Sequence, residues 1–159
     1  VPYHFVLSSG GQIPNGAVAQ GREADGTPLW VARSPGRGES PSVFEIFNSI
    51  QPGKVRPGFG AAFIPFGGNE VAAAEYEVLM EEGIWIAASG GQIPDGAIVC
   101  GREANGEPVF VARASIGGGV HPGKVRFAFG AAFIGLGGSE TAVQDYQVLT
   151  SQEDLRRGI

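Results

Sequence analysis

The chain is short of several residue types at once. Of its 159 residues one is cysteine, one methionine and two histidine, and only Lys54 and Lys124 are lysine. Charged residues make up 17% of the total. The lone Cys100 allows no internal disulfide and no thiolate metal cluster, and this fits a reducing compartment. His4 and His121 lack partners at metal-ligand spacing, so no metal or other cofactor is expected, and both histidines are expected in solvent. The longest plain apolar run, Ala61-Ala62-Phe63-Ile64, is far too short for a membrane-crossing helix. Eleven basic against sixteen acidic residues leave a net charge of −5 with no basic block. Neither a phosphate-backbone binder nor a polybasic membrane anchor has that pattern, so no nucleic-acid partner and no membrane insertion are expected. No charged stretch leads into an apolar one in the first residues. The expected location is therefore cytoplasmic, or released without a visible signal peptide.

Glycine and proline are abundant, at 27 and 11 residues. Both are poor inside helices, so long helices are not expected. Disorder is also disfavoured, because apolar residues reach 43% while charge is low. The length suits one domain, or two small lobes sharing a core.

The chain is one unit written twice. Residues 9–33 read SGGQIPNGAVAQGREADGTPLWVAR and residues 89–113 read SGGQIPDGAIVCGREANGEPVFVAR, an offset of 80. Residues 52–79 read PGKVRPGFGAAFIPFGGNEVAAAEYEVL and residues 122–149 read PGKVRFAFGAAFIGLGGSETAVQDYQVL, an offset of 70. The first copy thus carries ten extra residues between Arg33 and Pro52. Two copies are too few for a capped solenoid, and two halves packed about a pseudo-twofold axis are expected. Nine glycines, from Gly10 to Gly68, recur in the second copy and account for 18 of the 27. A disordered segment has no reason to hold glycine in register.

Within each copy the signals are strand and turn. Asp25-Gly26 and Asn105-Gly106 close short loops between apolar runs, a hairpin pattern. The three-residue loop would pair Glu23 with Thr27 and Ala19 with Val31. Pro28 and Pro108 belong at an edge or a bulge. In the insertion, Val43, Ile46, Phe47 and Ile50 fall on one helical face, and Ser42 with Glu45 matches a capping box. That spacing predicts a short amphipathic helix; an irregular loop with buried aromatics is the competing reading. The fold class expected is all-β, an antiparallel sandwich or barrel of two halves with a short helical insertion in the first.

Among charged residues the copies share Arg22/Arg102, Glu23/Glu103, Arg33/Arg113, Lys54/Lys124, Arg56/Arg126 and Glu70/Glu140. Both lysines of the chain occupy one repeat position. Glu23 stands at the lip of a hairpin, and Lys54 follows a Pro-Gly turn. A carboxylate accepts from two vicinal hydroxyls and an ammonium donates to hydroxyl oxygens, which suits a sugar. An inter-strand ion pair between glutamate and lysine or arginine fits the same spacing. Arg33 and Arg113 either orient a pocket carboxylate or pair with Glu70 and Glu140; Arg22, Arg56 and their copies line the pocket or solvate its rim. Tyr76 and Tyr146 are expected to close the core. Glycoside hydrolysis needs two carboxyl groups in distinct roles, whereas the repeat gives each site one acid near a lysine. No Ser-His-Asp set is present, and Cys100 is matched by Gln20. A non-catalytic protein is expected.

The ordered motifs S-G-G-Q-I-P-x-G-A, G-R-E-A-x-G, V-A-R, P-G-K, A-F-I, G-G-x-E and Y-x-V-L occur twice. The chain resembles the DM9 repeat family over residues 5–80 and 84–150, with an insertion at about 36–50 and a tail at 151–159. The resemblance implies two tandem DM9 repeats. It also implies a mannose-recognising lectin of the pattern-recognition type in innate immunity, acting on mannose-type glycans as a homodimer. It places sugar binding on the acidic residue near the first hairpin turn and on the lysine of P-G-K. Those are Glu23 with Lys54 and Glu103 with Lys124; Arg22, Arg33, Arg102 and Arg113 are candidates for pocket support. The alternatives are a protein-interaction scaffold and a membrane-active natterin-like protein.

Overall fold

The structure, a computed structural model, describes residues 3–34 and 48–151. They are all β. The strands are β1 (Phe5–Ser9), β2 (Gly21–Arg22), β3 (Pro28–Arg33), β4 (Pro52–Val55), β5 (Ala62–Phe66), β6 (Asn69–Ala73), β7 (Glu75–Leu79), β8 (Ile84–Ser89), β9 (Val99–Arg102), β10 (Pro108–Ile116), β11 (Gly119–Val125), β12 (Ala132–Leu136), β13 (Ser139–Val143) and β14 (Asp145–Thr150). One 3-10 turn, Pro57–Phe59, is the only helical segment among the described residues, and none of them forms a helix long and apolar enough to cross a membrane. The helix expected over residues 43–50 lies outside the described residues except at its end. There Ile50 is extended, in an antiparallel bridge to Arg102.

The hairpins form as their turn residues dictate. Glu23 N–H donates to Thr27 O at 2.8 Å, and Gly26 sits at φ +92°, where only glycine is unstrained. The Asp25 and Asn105 side chains each accept the backbone N–H two residues on, at 2.9 Å. Pro28 and Pro108 open β3 and β10. The expected facing of Ala19 and Val31 does not occur. Gln20 N–H bonds Leu29 O while Gly21 also faces Leu29, so the register slips by one, and the second copy slips likewise between Val109 and Phe110. Such a bulge sharpens the local twist and bends the strand out of its own hairpin.

That bend carries each lip across to the other copy. Arg22 pairs with Val120 ahead of the second P-G-K, and Arg102 pairs with Ile50 ahead of the first. The strand order β1-β7-β3-β4-β5-β6-β13-β12-β11-β10-β14-β8 reads the same from either end when each strand is exchanged for its repeat counterpart. Because β2 bonds both β3 and β11, the strands β2-β3-β4-β5-β6-β13-β12-β11 close into an eight-stranded barrel. Closure removes open edges from that ring.

Two apolar clusters fill the halves, one around Ile64, Tyr76 and Val78 and the other around Ile134, Tyr146 and Val148. A third, of Val31, Leu79, Cys100, Val111 and Leu149, takes residues from both copies. Tyr76 and Tyr146 are buried and donate to Gln12 O and Gln92 O, both at 2.8 Å. Burial drives the Cys100 thiol up to about 12, so it stays protonated and inert.

Glycine in P-G-K is required by close approach. A Cβ on Gly123 would collide with the Phe133 carbonyl oxygen and crowd Ile134. Gly123→Ala is therefore expected to lower stability by about 1–3 kcal/mol, the range for overpacking a tight core, measured as a shift in urea midpoint.

Candidate functional site

Each lysine is the last residue but one of its strand. Lys54 on β4 faces Val31 on β3 and Phe63 on β5; Lys124 on β11 faces Val111 and Phe133. Since the face of the neighbouring glycine is closed by Phe63 and Ile64 on β5, or by Phe133 and Ile134 on β12, the lysine side chain leaves on the opposite face. Both are buried, at 3% and 2% exposure, so they are not the rim residues that their place after a turn predicts.

A buried ammonium needs partners, and the fold supplies them from both copies. In the first cluster, Lys54 Nζ lies 3.0 Å from His121 Nδ1 and 3.7 Å from Glu70 Oε2. In the second, Lys124 Nζ donates to Gln51 Oε1 at 2.7 Å and lies 3.5 Å from Glu140 Oε2. His121 and Gln51 hold the same repeat position, each immediately before its own P-G-K, yet each serves the other copy's lysine. Burial lowers the basicity of both lysines, opposed mainly by Glu70 and Glu140 and next by Glu23 and Glu103.

The glutamates are fixed just as reciprocally. Glu70 Oε1 accepts Gly138 N–H at 3.0 Å, and Glu140 Oε1 accepts Gly68 N–H at 2.9 Å. Glu23 Oε2 accepts from Arg56 Nε at 3.0 Å. Glu103 Oε1 accepts from Gln51 Nε2 at 2.7 Å, while its Oε2 is an ion-pair contact 2.7 Å from Arg126 Nε without the alignment of a hydrogen bond. Arg126 Nη1 also donates to Glu107 Oε2 at 2.8 Å. Arg56 and Arg126 lie over Phe59 and Phe129, at 4.4 and 4.2 Å from the ring centroids.

Glu103, Lys124, Arg126 and Glu140 line a pocket of about 430 Å³ whose walls include Phe66, Phe129 and the hairpin residue Asn105. The Phe66 ring, from the first copy, lies 5.1 Å from Lys124 Nζ; the first cluster has Leu136 at that repeat position. Fixed acceptors and donors over an aromatic wall suit a polyhydroxylated ligand with one apolar face.

Of the sequence-predicted residues, the fold brings Glu23, held by Arg56, near enough to Lys54 to favour its charge, and links Glu103 to Lys124 through Gln51. The four arginines proposed as support stand elsewhere. Arg22 donates to Gly118 O at 2.8 Å and Arg102 to Asn48 O at 3.2 Å. Arg33 pairs with Glu77 at 2.7 Å, and Arg113 donates to Gln147 Oε1 at 2.8 Å. Glu70 and Glu140 thus pair with the lysines and not with Arg33 and Arg113. His4 is exposed and contacts Glu81 at 2.6 Å. His121, expected in solvent, is buried at 2%, and burial first, then Lys54, lowers its basicity. No group of three or more potential metal ligands occurs among the described residues.

Residues 43–143 match a sequence profile described as the DM9 repeat. No curated protein matches the chain. Among solved structures it is similar to that of the nematode sperm cell motility protein MFP2B, with a TM-score of 0.54 and 13% identity. That likeness, which concerns the fold, covers 94% of this chain and 44% of the other, so this chain spans less than half of its structural neighbour.

Proposed function

The chain belongs to the DM9 repeat family, and from that premise we propose that it is a non-catalytic lectin recognising mannose or mannose-containing glycans. In this reading it is two tandem DM9 repeats about a pseudo-twofold axis, acting as a pattern-recognition protein. The observation that carries the reading is the pair of clusters in which a buried ammonium pairs with a barrel carboxylate while a hairpin carboxylate lies near enough to favour its charge. Glu103 and Lys124 offer an acceptor and a donor to neighbouring hydroxyls; Glu23 and Lys54 do the same in the first cluster. Gln51 and Arg126 hold Glu103 in place, so little is lost in ordering it when a sugar binds.

The same arrangement argues against hydrolysis. In each cluster both carboxylates are engaged as ion-pair partners, Glu23 with Arg56 and Glu70 with Lys54, Glu103 with Arg126 and Glu140 with Lys124, whereas hydrolysis needs two carboxyl groups in distinct roles on either side of one bond. Single sugar sites are weak, and two per chain, more in a homodimer, raise avidity when one glycan spans them.

A scaffold role is the second reading. It is favoured by the likeness to a motility protein and by the exposed Phe127 and Val99, which flank Phe110. The chain is expected to be retained on mannose-agarose at neutral pH and released by free methyl mannoside. Failure to bind that resin or any glycan on an array, with self-association by light scattering, would replace the lectin reading by the scaffold.

A further inference from the structure

A cleft of about 720 Å³ lies at the seam between the copies, and none of the residues of the two lysine clusters lines it. Its walls come from β10, β14 and the crossing lip of the first hairpin, and it takes in Arg22, Arg113, Ser115, Gln144, Asp145 and Gln147. Arg113 is the unusual member. Its guanidinium is half-buried and held by three contacts: Nε donates to Gln147 Oε1 and Nη1 to Gln20 O, both at 2.8 Å, and Cζ lies 4.3 Å from the Trp85 ring centroid. These partners are all neutral. The repeat counterpart Arg33 makes the corresponding contacts, to Cys100 O and over Phe5, but its Nε meets the Glu77 carboxylate at 2.7 Å.

Exchange of Glu77 for Gln147 therefore removes the counterion at one of two otherwise matched positions. Among the described residues no carboxylate lies within ion-pair distance of Arg113 or of Arg22. A guanidinium has five N–H donors, and these hydrogen bonds engage two on Arg113 and one on Arg22. Asp145 is the single acidic group in the walls, so two cations face one anion. Burial pulls the basicity of Arg113 down, with Glu82 opposing. A cleft of this volume falls in the range of small-molecule sites.

We propose that this cleft is an anion site taking a small ligand with a carboxylate or sulfate group, held by Arg113 with Arg22 at the lip. The planar fork of an arginine matches two oxygens of such a group. The site is separate from the lysine clusters and does not depend on their ligand. The test is calorimetric titration of the whole chain with glucuronate, with sodium sulfate and with uncharged glucose. Either anion is expected to bind, more weakly as salt rises, and glucose not. Binding of glucuronate alone assigns the carboxylate, and binding of sulfate alone the tetrahedral oxyanion. The decisive variant is Gln147→Glu, which gives Arg113 the partner Arg33 already has without removing a side chain from the seam. It is expected to weaken anion binding at least tenfold and to leave mannose retention unchanged. Arg22→Gln, at an exposed position, is expected to weaken the anion severalfold. The proposal is overturned if neither anion binds, if glucose binds as well as glucuronate, or if Gln147→Glu binds the anions as tightly as the native chain.

Discussion

Replacing Lys54 and Lys124 together by methionine is expected to abolish retention on immobilised mannose and also to lower the melting temperature. The second effect comes from burial. Each ammonium is almost out of solvent beside a carboxylate that is itself only 10–12% exposed. Removing one partner of a buried ion pair costs about 3–5 kcal/mol, because the other charge is left uncompensated. Loss of binding in the methionine variant alone would not separate a damaged fold from a missing ligand contact. A second variant does so: Lys54→Met with Glu70→Gln, and Lys124→Met with Glu140→Gln. Neutralising both members of a buried pair is often nearly neutral in stability, and glutamine Oε1 can still accept the N–H of Gly138 or Gly68. This fourfold variant is expected to melt close to the native chain and still to pass through the mannose column. If it is retained as well as the native protein, the lysines are structural and the sugar site lies elsewhere.

The second large effect concerns acid. His121 touches Lys54 in the first cluster, where the second has Gln51 touching Lys124. The charged groups around His121 are Lys54, which disfavours its protonation, and Glu23, which favours it; Glu70 reaches the same lysine. A histidine whose folded pKa is depressed binds more protons unfolded than folded. Its contribution to stability is therefore complete above the unfolded value of about 6.5 and is lost as pH falls below it. The same proton sets a second cation against Lys54. With the second cluster silenced by Lys124→Met and Glu140→Gln, mannose affinity is expected to fall by up to about tenfold per pH unit once His121 titrates. His121→Gln is expected to flatten that profile. Gln51→His, with the first cluster silenced instead, is expected to create one. A pH profile unchanged by His121→Gln would show that the histidine is not coupled to the ligand.

Much of the fold is written in local signals. Asp25-Gly26 and Asn105-Gly106 specify hairpins whatever surrounds them, and the duplicated motifs specify a repeated β unit. The lip register at Glu23 and Thr27 is set by loop length alone. The register two residues before the lip is not: the bulge at Gln20 and Gly21 answers to a strand from the other copy, about a hundred residues away in the chain. The site divides along the same line. Glu23, Lys54 and their counterparts are visible because the copies repeat them. Glu70 and Glu140 are repeated too, but their pairing with lysine instead of Arg33 and Arg113 depends on which strand faces which across the barrel. Gln51 and His121 leave no repeat signal, since the copies differ there. His121 looks like an isolated surface histidine until the crossing of β2 to β11 closes over it. Arg33 and Arg113 look like supports of the lysine clusters because they are repeated, yet they are held at the seam by Glu77 and Gln147.

The crossing of the lips has a consequence for how such a duplicated gene can diverge. Residues 51 and 121 lie in one copy and are read out in the other copy's cluster. A substitution at either leaves the lysine and both glutamates of its own repeat untouched. The two clusters are therefore open to separate tuning by single codon changes, and drift in one copy registers as altered chemistry in its sister.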